Sequence, residues 1–156
     1  MDAALPAGTN EIGRIQQNRD VLASVALLAS AARTADGAGT DTVDANIERA
    51  DGLLLICDVT AKSGTVPTLD VAVLAKLDAS YTILARFSRY TDATGKKAIV
   101  LRRSTFATEI TLAADPTVST GLLVNNHDWA DTMKIKYAIA GTTPSFTFSV
   151  AAYPIR

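Results

Sequence analysis

The sequence predicts an all-β fold: an antiparallel two-sheet β-sandwich, jelly-roll-like, with an extended N-terminal arm. Three observations lead there. Acidic residues are almost all Asp, thirteen against three Glu, and threonine is abundant at nineteen, a composition that suits turns and strands better than the solvent faces of helices. Apolar residues alternate with period two over several stretches, which is the spacing of a half-buried strand. Between those stretches stand turn signals such as Asp92-Ala93-Thr94-Gly95 and Asp115-Pro116, placed as in antiparallel sandwiches and barrels.

Taken in order, residues 1 to 20 hold Leu5, Pro6, Ile12 and Ile15 scattered among glycine, asparagine and glutamine. That is too little apolar side chain for a core of its own, so the stretch is expected to be an extended arm that contacts a partner through these four residues. Residues 21 to 156 are expected to form one sandwich domain. The run Val21 to Ala31 is apolar, but it is shorter than the roughly 20 residues that span a bilayer. The twenty residues before it include Asp2, Glu11 and Asp20, unlike the positive leader of a secretory signal. It is expected to be a buried strand with Val21, Ala23, Val25 and Leu27 on one face and Leu22, Ala26 and Leu28 on the other, a buried helix being the alternative. Residues 35 to 46, with Gly37, Gly39 and Asp at 36, 41 and 44, are expected to form a solvated loop; they lack the spacing and closing Glu of a calcium loop.

Beyond Gly52, Leu53, Leu55, Cys57 and Val59 alternate with more outward positions, as do Leu69, Val71 and Val73. The intervening Gly64-Thr65-Val66-Pro67 offers a positive-φ position and a residue without an amide hydrogen. A hairpin is therefore expected, with 53–60 pairing 68–75. The segment recurs 77 positions later, Gly64 to Val73 reappearing as Gly141 to Val150, so a second hairpin pairing 132–139 with 145–152 is expected. Between the copies, strands are expected at 81–88 (Tyr81, Ile83, Ala85 and Phe87 on one face), 97–103, 105–113 and 120–126, for nine or ten short strands in all. The expected core includes Leu55, Val59, Leu69, Val71, Ile135, Tyr137, Phe146 and Phe148.

Composition removes several functions. One cysteine, Cys57, and one histidine, His127, cannot make a Cys/His zinc site. Cys57 is expected to act as a small core hydrophobe. Fifteen basic against sixteen acidic residues give no global field to attract nucleic acid or an anionic membrane. Neither a phosphate-binding glycine loop nor a nucleophile elbow is present, so no catalytic, metal or cofactor residue is assigned. His127, within Asn125-Asn126-His127-Asp128, is expected in a surface loop. The basic cluster Lys96, Lys97, Arg102 and Arg103 is expected to be a contact patch for a partner protein.

Three stretches carry a family likeness: Ser30-Ala31-Ala32-Arg33-Thr34; Gly52 to Val73, including Asp58-Val59-Thr60 and Ser63-Gly64-Thr65-Val66-Pro67-Thr68-Leu69-Asp70-Val71; and Met133 to Val150, ending Gly141-Thr142-Thr143-Pro144-Ser145-Phe146-Thr147-Phe148-Ser149-Val150. In these the chain resembles small structural proteins of tailed-bacteriophage and prophage virions. It departs from them at Ala75 to Tyr81, where they carry a tryptophan-bearing strand, and it matches none of them over 1–20 or 101–126. The resemblance implies a non-enzymatic virion subunit, assembled in the host cytoplasm and present in multiple symmetric copies, with the major capsid protein or other virion proteins as partners. Size and arm suit a capsid decoration or cement protein; tail, neck or baseplate subunits share those features. A carbohydrate-binding module would need exposed Trp or Tyr faces, and the chain has nine aromatic residues.

Overall fold

A computed structural model describes residues 23–103 and 109–156. The N-terminal arm and its Leu5, Pro6, Ile12 and Ile15, together with Val21 and the first part of the expected 105–113 strand, lie outside the described residues. The chain is all-β and antiparallel, as expected. Its strands are β1 (Val25–Arg33), β2 (Gly37–Ala38), β3 (Thr42–Val43), β4 (Gly52–Leu77), β5 (Ser80–Arg86), β6 (Tyr90–Thr91), β7 (Gly95–Arg102), β8 (Leu123–Val124) and β9 (Thr132–Ile155), with one helical turn, α1 (Ala45–Glu48). All nine strands belong to a single sheet, whose main path runs β1-β9-β4-β5-β8.

The two long strands correct the expected hairpins. Neither copy of the repeat folds back to pair with its own flank. β4 instead pairs with β9 along almost its whole length, from Gly52 opposite Ile155 to Ala75 opposite Met133, with Thr65 facing Thr142 near the middle. Residues 53–59 face 148–154, and 68–75 face 133–140. The repeat is thus a pseudo-two-fold relation between two partner strands. Turn residues and alternation look the same in a hairpin and in a kinked long strand, because local pattern fixes which face is buried but not which strand lies alongside.

Both strands bend sharply at the repeated Gly-Thr-x-Pro. Gly64 and Val66 have positive φ, and so do Gly141 and Thr143 at the matching positions. Ladder register slips between Ser63 and Thr65 and again between Thr65 and Thr68. The bend is large: Tyr137 and Phe148, eleven residues apart on β9, would stand about 36 Å apart on a straight strand, yet their rings meet edge to face with centroids 5.2 Å apart. Across the bend of β4, Tyr90 of β6, paired with Leu69, donates its hydroxyl hydrogen to the Cys57 carbonyl at 3.1 Å. The ladder continues through the bend, so the expected pair of separate sheets is replaced by one open sheet doubled over a shared core.

That core draws on both halves of each long strand. Leu53, Leu55, Cys57, Val59, Leu69, Val71, Ile135, Phe146 and Phe148 are buried in one cluster, and Tyr137 packs against it half-buried. Seven of the eight expected core residues are therefore fully inside, and Cys57 is a core hydrophobe as expected. Burial pushes its thiol up to about 12. β1 begins at Val25, with Val25 and Leu27 buried and Ala23 exposed.

β5 departs from strict alternation. Val73 faces Ala85 but the next residue, Leu74, faces Ile83, so Leu84 is the extra residue of a β-bulge. Past it the faces exchange: Leu84, Ala85 and Phe87 join the main core, whereas Tyr81 and Ile83 pack with Ala72, Leu74 and Val118 on the other side of the sheet. The expected single face of Tyr81, Ile83, Ala85 and Phe87 is corrected accordingly. Of the expected 105–113 strand, the described part makes only the Tyr81–Ala113 bridge, and the 120–126 strand shortens to β8.

The 35–46 loop is more tied down than a solvated turn. Gly37–Ala38 and Thr42–Val43 pair with β9, Asp36 accepts the Ile139 amide at 2.7 Å, and Asp44 caps α1 through the Asn46 amide. Asp41 accepts the Tyr81 hydroxyl at 2.7 and 2.9 Å and the Lys76 ammonium at 3.1 Å. The Tyr81 bond, with Lys76 adding to it, holds the Asp41 carboxyl below its ordinary value. A depressed folded-state value stabilises the fold above the ordinary carboxylate range and loses that contribution as pH falls through the folded value. Asp41→Asn is expected to cost about 0.5 to 1 kcal/mol at neutral pH, with the difference from wild type narrowing as the pH is taken below the ordinary carboxylate range. Urea titrations at neutral pH and below that range check this.

Candidate functional site

β5, β8 and the chain segments around them enclose a cavity of about 500 Å³, lined by Thr82 and Ile83, by Glu109, Ile110, Thr111, Ala113 and Pro116, and by Leu123, Asn125, Asn126 and His127. β5 places Thr82 and Ile83 at its wall because the bulge at Leu84 turns Ile83 away from the main core. The Asn125 side-chain amide donates to the Ile83 carbonyl at 2.7 Å, and its backbone amide bonds the Leu84 carbonyl at 2.8 Å. Those two bonds fix the 125–127 segment beside β5. Asn126 accepts the Arg102 amide at 2.9 Å.

His127 is buried, at 9% exposure, which corrects the expected surface-loop position. Asn125-Asn126-His127 has the composition of a turn, but Asn125 stitches it onto β5 and draws the imidazole inside. Nδ1 lies 2.7 Å from the Asp128 carbonyl oxygen, and Nε2 is buried without a partner among the described residues. The Asp128 carboxylate does not stand behind the ring. It accepts the Trp129 amide at 3.0 Å and pairs with Arg103 at 3.1 Å. With Nδ1 donating to the Asp128 carbonyl, the described lining is mixed: aliphatic wall, side-chain amides, threonine hydroxyls, one carboxylate and one imidazole nitrogen, Nε2, left as an acceptor in the neutral ring.

A second hollow of about 420 Å³ is lined by residues including Asp36, Asp115, Lys136 and Tyr137. Its charged groups are already engaged, since Lys136 pairs with Asp115 at 2.5 Å and bonds the Pro116 carbonyl, and Asp36 accepts the Ile139 amide.

The four residues of the expected basic patch do not gather. Lys96 and Arg102 sit near opposite ends of β7, about 20 Å apart along the strand. Lys96 pairs at 3.2 Å with Asp58, its cross-strand neighbour. Lys97 lies 3.9 Å from the Tyr90 ring centroid and donates to the Ser88 and Arg89 carbonyls. Arg103 stacks over Trp129 and donates to the Glu48 and Trp129 carbonyls. Lys97 and Arg103 are thus turned inward, and Lys96 and Arg102 are left as separate exposed charges.

Arg33, noted in the sequence only as part of a family string, has a clear role. Its guanidinium donates to the Ala29, Ala31 and Phe148 carbonyls at 2.8 to 2.9 Å and lies over the Phe148 and Tyr137 rings. It fills the register slip of β1 between Leu28 and Ala31, which accounts for an arginine at the end of a small-residue strand. Trp129 is 2% exposed and donates its indole hydrogen to the Ile47 carbonyl; among the described residues Tyr137 is the one Phe, Tyr or Trp side chain lining either cavity. Among the described residues no three His, Cys, Asp or Glu are grouped to hold a metal, and no helix is long and apolar enough to cross a membrane. No family model, curated protein or solved structure matches the chain.

Proposed function

We propose that the chain is a non-enzymatic structural subunit of a phage virion, a decoration or cement protein that binds the major capsid lattice in symmetric copies, its doubled sheet serving as a two-layer, jelly-roll-like sandwich. The observation that carries the reading is spatial. The three stretches that resemble virion structural proteins are far apart in the sequence, yet they lie side by side as β1, β9 and β4: Arg33 faces Phe146, and Phe148 faces Val59. The resemblance therefore describes one contiguous framework, its Gly-Thr-x-Pro bends included.

The arm supplies the attachment. Leu5, Pro6, Ile12 and Ile15 add apolar and main-chain contacts along a neighbouring surface, each weak but multiplied over a lattice. Deleting residues 1 to 18 is expected to leave thermal unfolding within a few degrees of the full chain. Occupancy on particles lacking the native protein should fall about tenfold or more at limiting concentration. Undiminished occupancy would rule out the arm as the anchor. Antibody-gold labelling confined to tails or necks would replace the capsid by those structures, and absence of the chain from purified virions would overturn the reading. The carbohydrate-binding reading loses its main requirement, because Trp129 is buried beneath Arg103.

A further inference from the structure

We infer that the cavity lined by β5, β8 and the 109–116 segment is a docking groove for residues 1–20 of a second copy of this chain. The inference rests on the reading of the chain as a multi-copy subunit. The groove has three properties of a site for an extended, partly apolar peptide. Its wall is aliphatic, through Ile83, Ile110 and Leu123. The chain segments that line it also carry exposed apolar side chains, Leu112 at 45%, Leu122 at 64% and Val124 at 41%, half of the large exposed hydrophobic residues among those described. β8 ends the main path of the sheet, pairing only with β5 among the described residues, which makes it the edge to which a further strand would add.

The polar end of the cavity suits main chain. The side-chain nitrogen of Asn126 and the side-chain oxygen of Asn125 take no part in the bonds described above, whereas the Asn125 backbone carbonyl accepts the His127 amide at 3.1 Å; His127 contributes its unpartnered Nε2. These are the donors and acceptors that a peptide bond pairs with. Glu109, the one formal charge in the lining, matches Arg14, which stands between Ile12 and Ile15 in the arm.

The occupant follows from where the arm leaves the fold. Residues 1–22 precede β1, the strand at one end of the sheet path, and the groove is lined by β5 and β8, at the other end. An extended segment of this length reaches up to about 75 Å, ample to cross to a neighbouring subunit. Arm and groove are different surfaces, so the contact is heterologous and repeats from copy to copy around a ring.

The test uses the full chain in solution, free of particles. Wild type is expected to associate in a concentration-dependent way by sedimentation velocity. An arm variant (Ile12→Asp with Ile15→Asp) and a groove variant (Leu122→Asp with Val124→Asp) are each expected to be monomeric, with self-association weakened at least tenfold. Mixed together they should form a heterodimer and nothing larger, because each supplies the half the other lacks. Leu122→Asp alone serves as the groove variant if the pair disturbs folding by circular dichroism. A monomeric wild type, a groove variant that still assembles, or folded variants that fail to complement would each overturn the inference. None of these outcomes depends on particle binding, so failure of the virion reading would show separately, as loss of labelling on virions.

Discussion

Phe148→Ala is expected to destabilise the protein by about 3 to 5 kcal/mol, the cost of an aromatic truncation that leaves a cavity. Phe148 is fully buried at the place where the doubled sheet closes on itself. Its ring meets Tyr137 edge to face from the far side of the bend, and the Arg33 guanidinium covers it at 4.7 Å. Removing the ring takes away burial, the aromatic contact between the two halves of β9 and one surface of the cation stack. The Arg33 bond to the Phe148 carbonyl remains, which keeps the backbone of β1 and β9 in place and limits collapse into the space. Val100→Ala, on the exposed face of β7 at 49% exposure, is the control and should stay within about 0.5 kcal/mol. Denaturant titrations of both read the difference, and a loss below about 1 kcal/mol for Phe148→Ala would show that the two halves do not depend on each other through this ring.

The faces of the strands were legible in the sequence because burial is periodic. Leu53, Leu55, Cys57 and Val59 alternate, and all four are buried. Phe146, Phe148 and Val150 do the same on β9. Alternation failed where the backbone departs from two residues per repeat, at the Leu84 bulge, since an inserted residue leaves no mark in a list of apolar positions. Partnership was not legible. Gly64-Thr65-Val66-Pro67 carries the chemistry of a hairpin loop and behaves instead as the bend of a long strand, because the ladder partner is chosen by the whole ladder. The repeat itself was the available signal: two copies of one strand related by a two-fold pair with each other as readily as each pairs with its own flank.

The candidate site was less legible than the fold. His127 sits among turn-forming residues, and its burial depends on Asn125 bonding to β5, a contact 42 positions away. The four basic residues look like a patch only in a linear string. In the fold Lys97 and Arg103 are held by backbone carbonyls and aromatic rings, an environment that depends on where Tyr90 and Trp129 are delivered.

Gly64→Ala is expected to cost about 3 kcal/mol, more than backbone strain alone would exact. Gly64 has φ near +104°, a region an L side chain enters at a cost of about 1 to 2 kcal/mol. Gly95 at φ +121° shares that cost, and an added Cβ there meets nothing within 4 Å. At Gly64 the same Cβ would lie 2.7 Å from the Thr143 carbonyl oxygen, 2.8 Å from that of Thr142 and 2.9 Å from the Pro144 Cα. All three belong to the opposing bend, and being backbone they have no rotamer by which to move aside. Gly141 stands in the reciprocal position, with its Cβ site 3.0 Å from the Pro67 Cα and 3.1 Å from the Val66 carbonyl oxygen. The ordering expected from thermal and urea unfolding is therefore Gly64→Ala worst, Gly141→Ala intermediate and Gly95→Ala mildest at about 1 kcal/mol. Equal losses at Gly64 and Gly95 would mean that the two bends do not pack against each other, and that the pseudo-two-fold pairing of β4 with β9 is not what holds the doubled sheet closed.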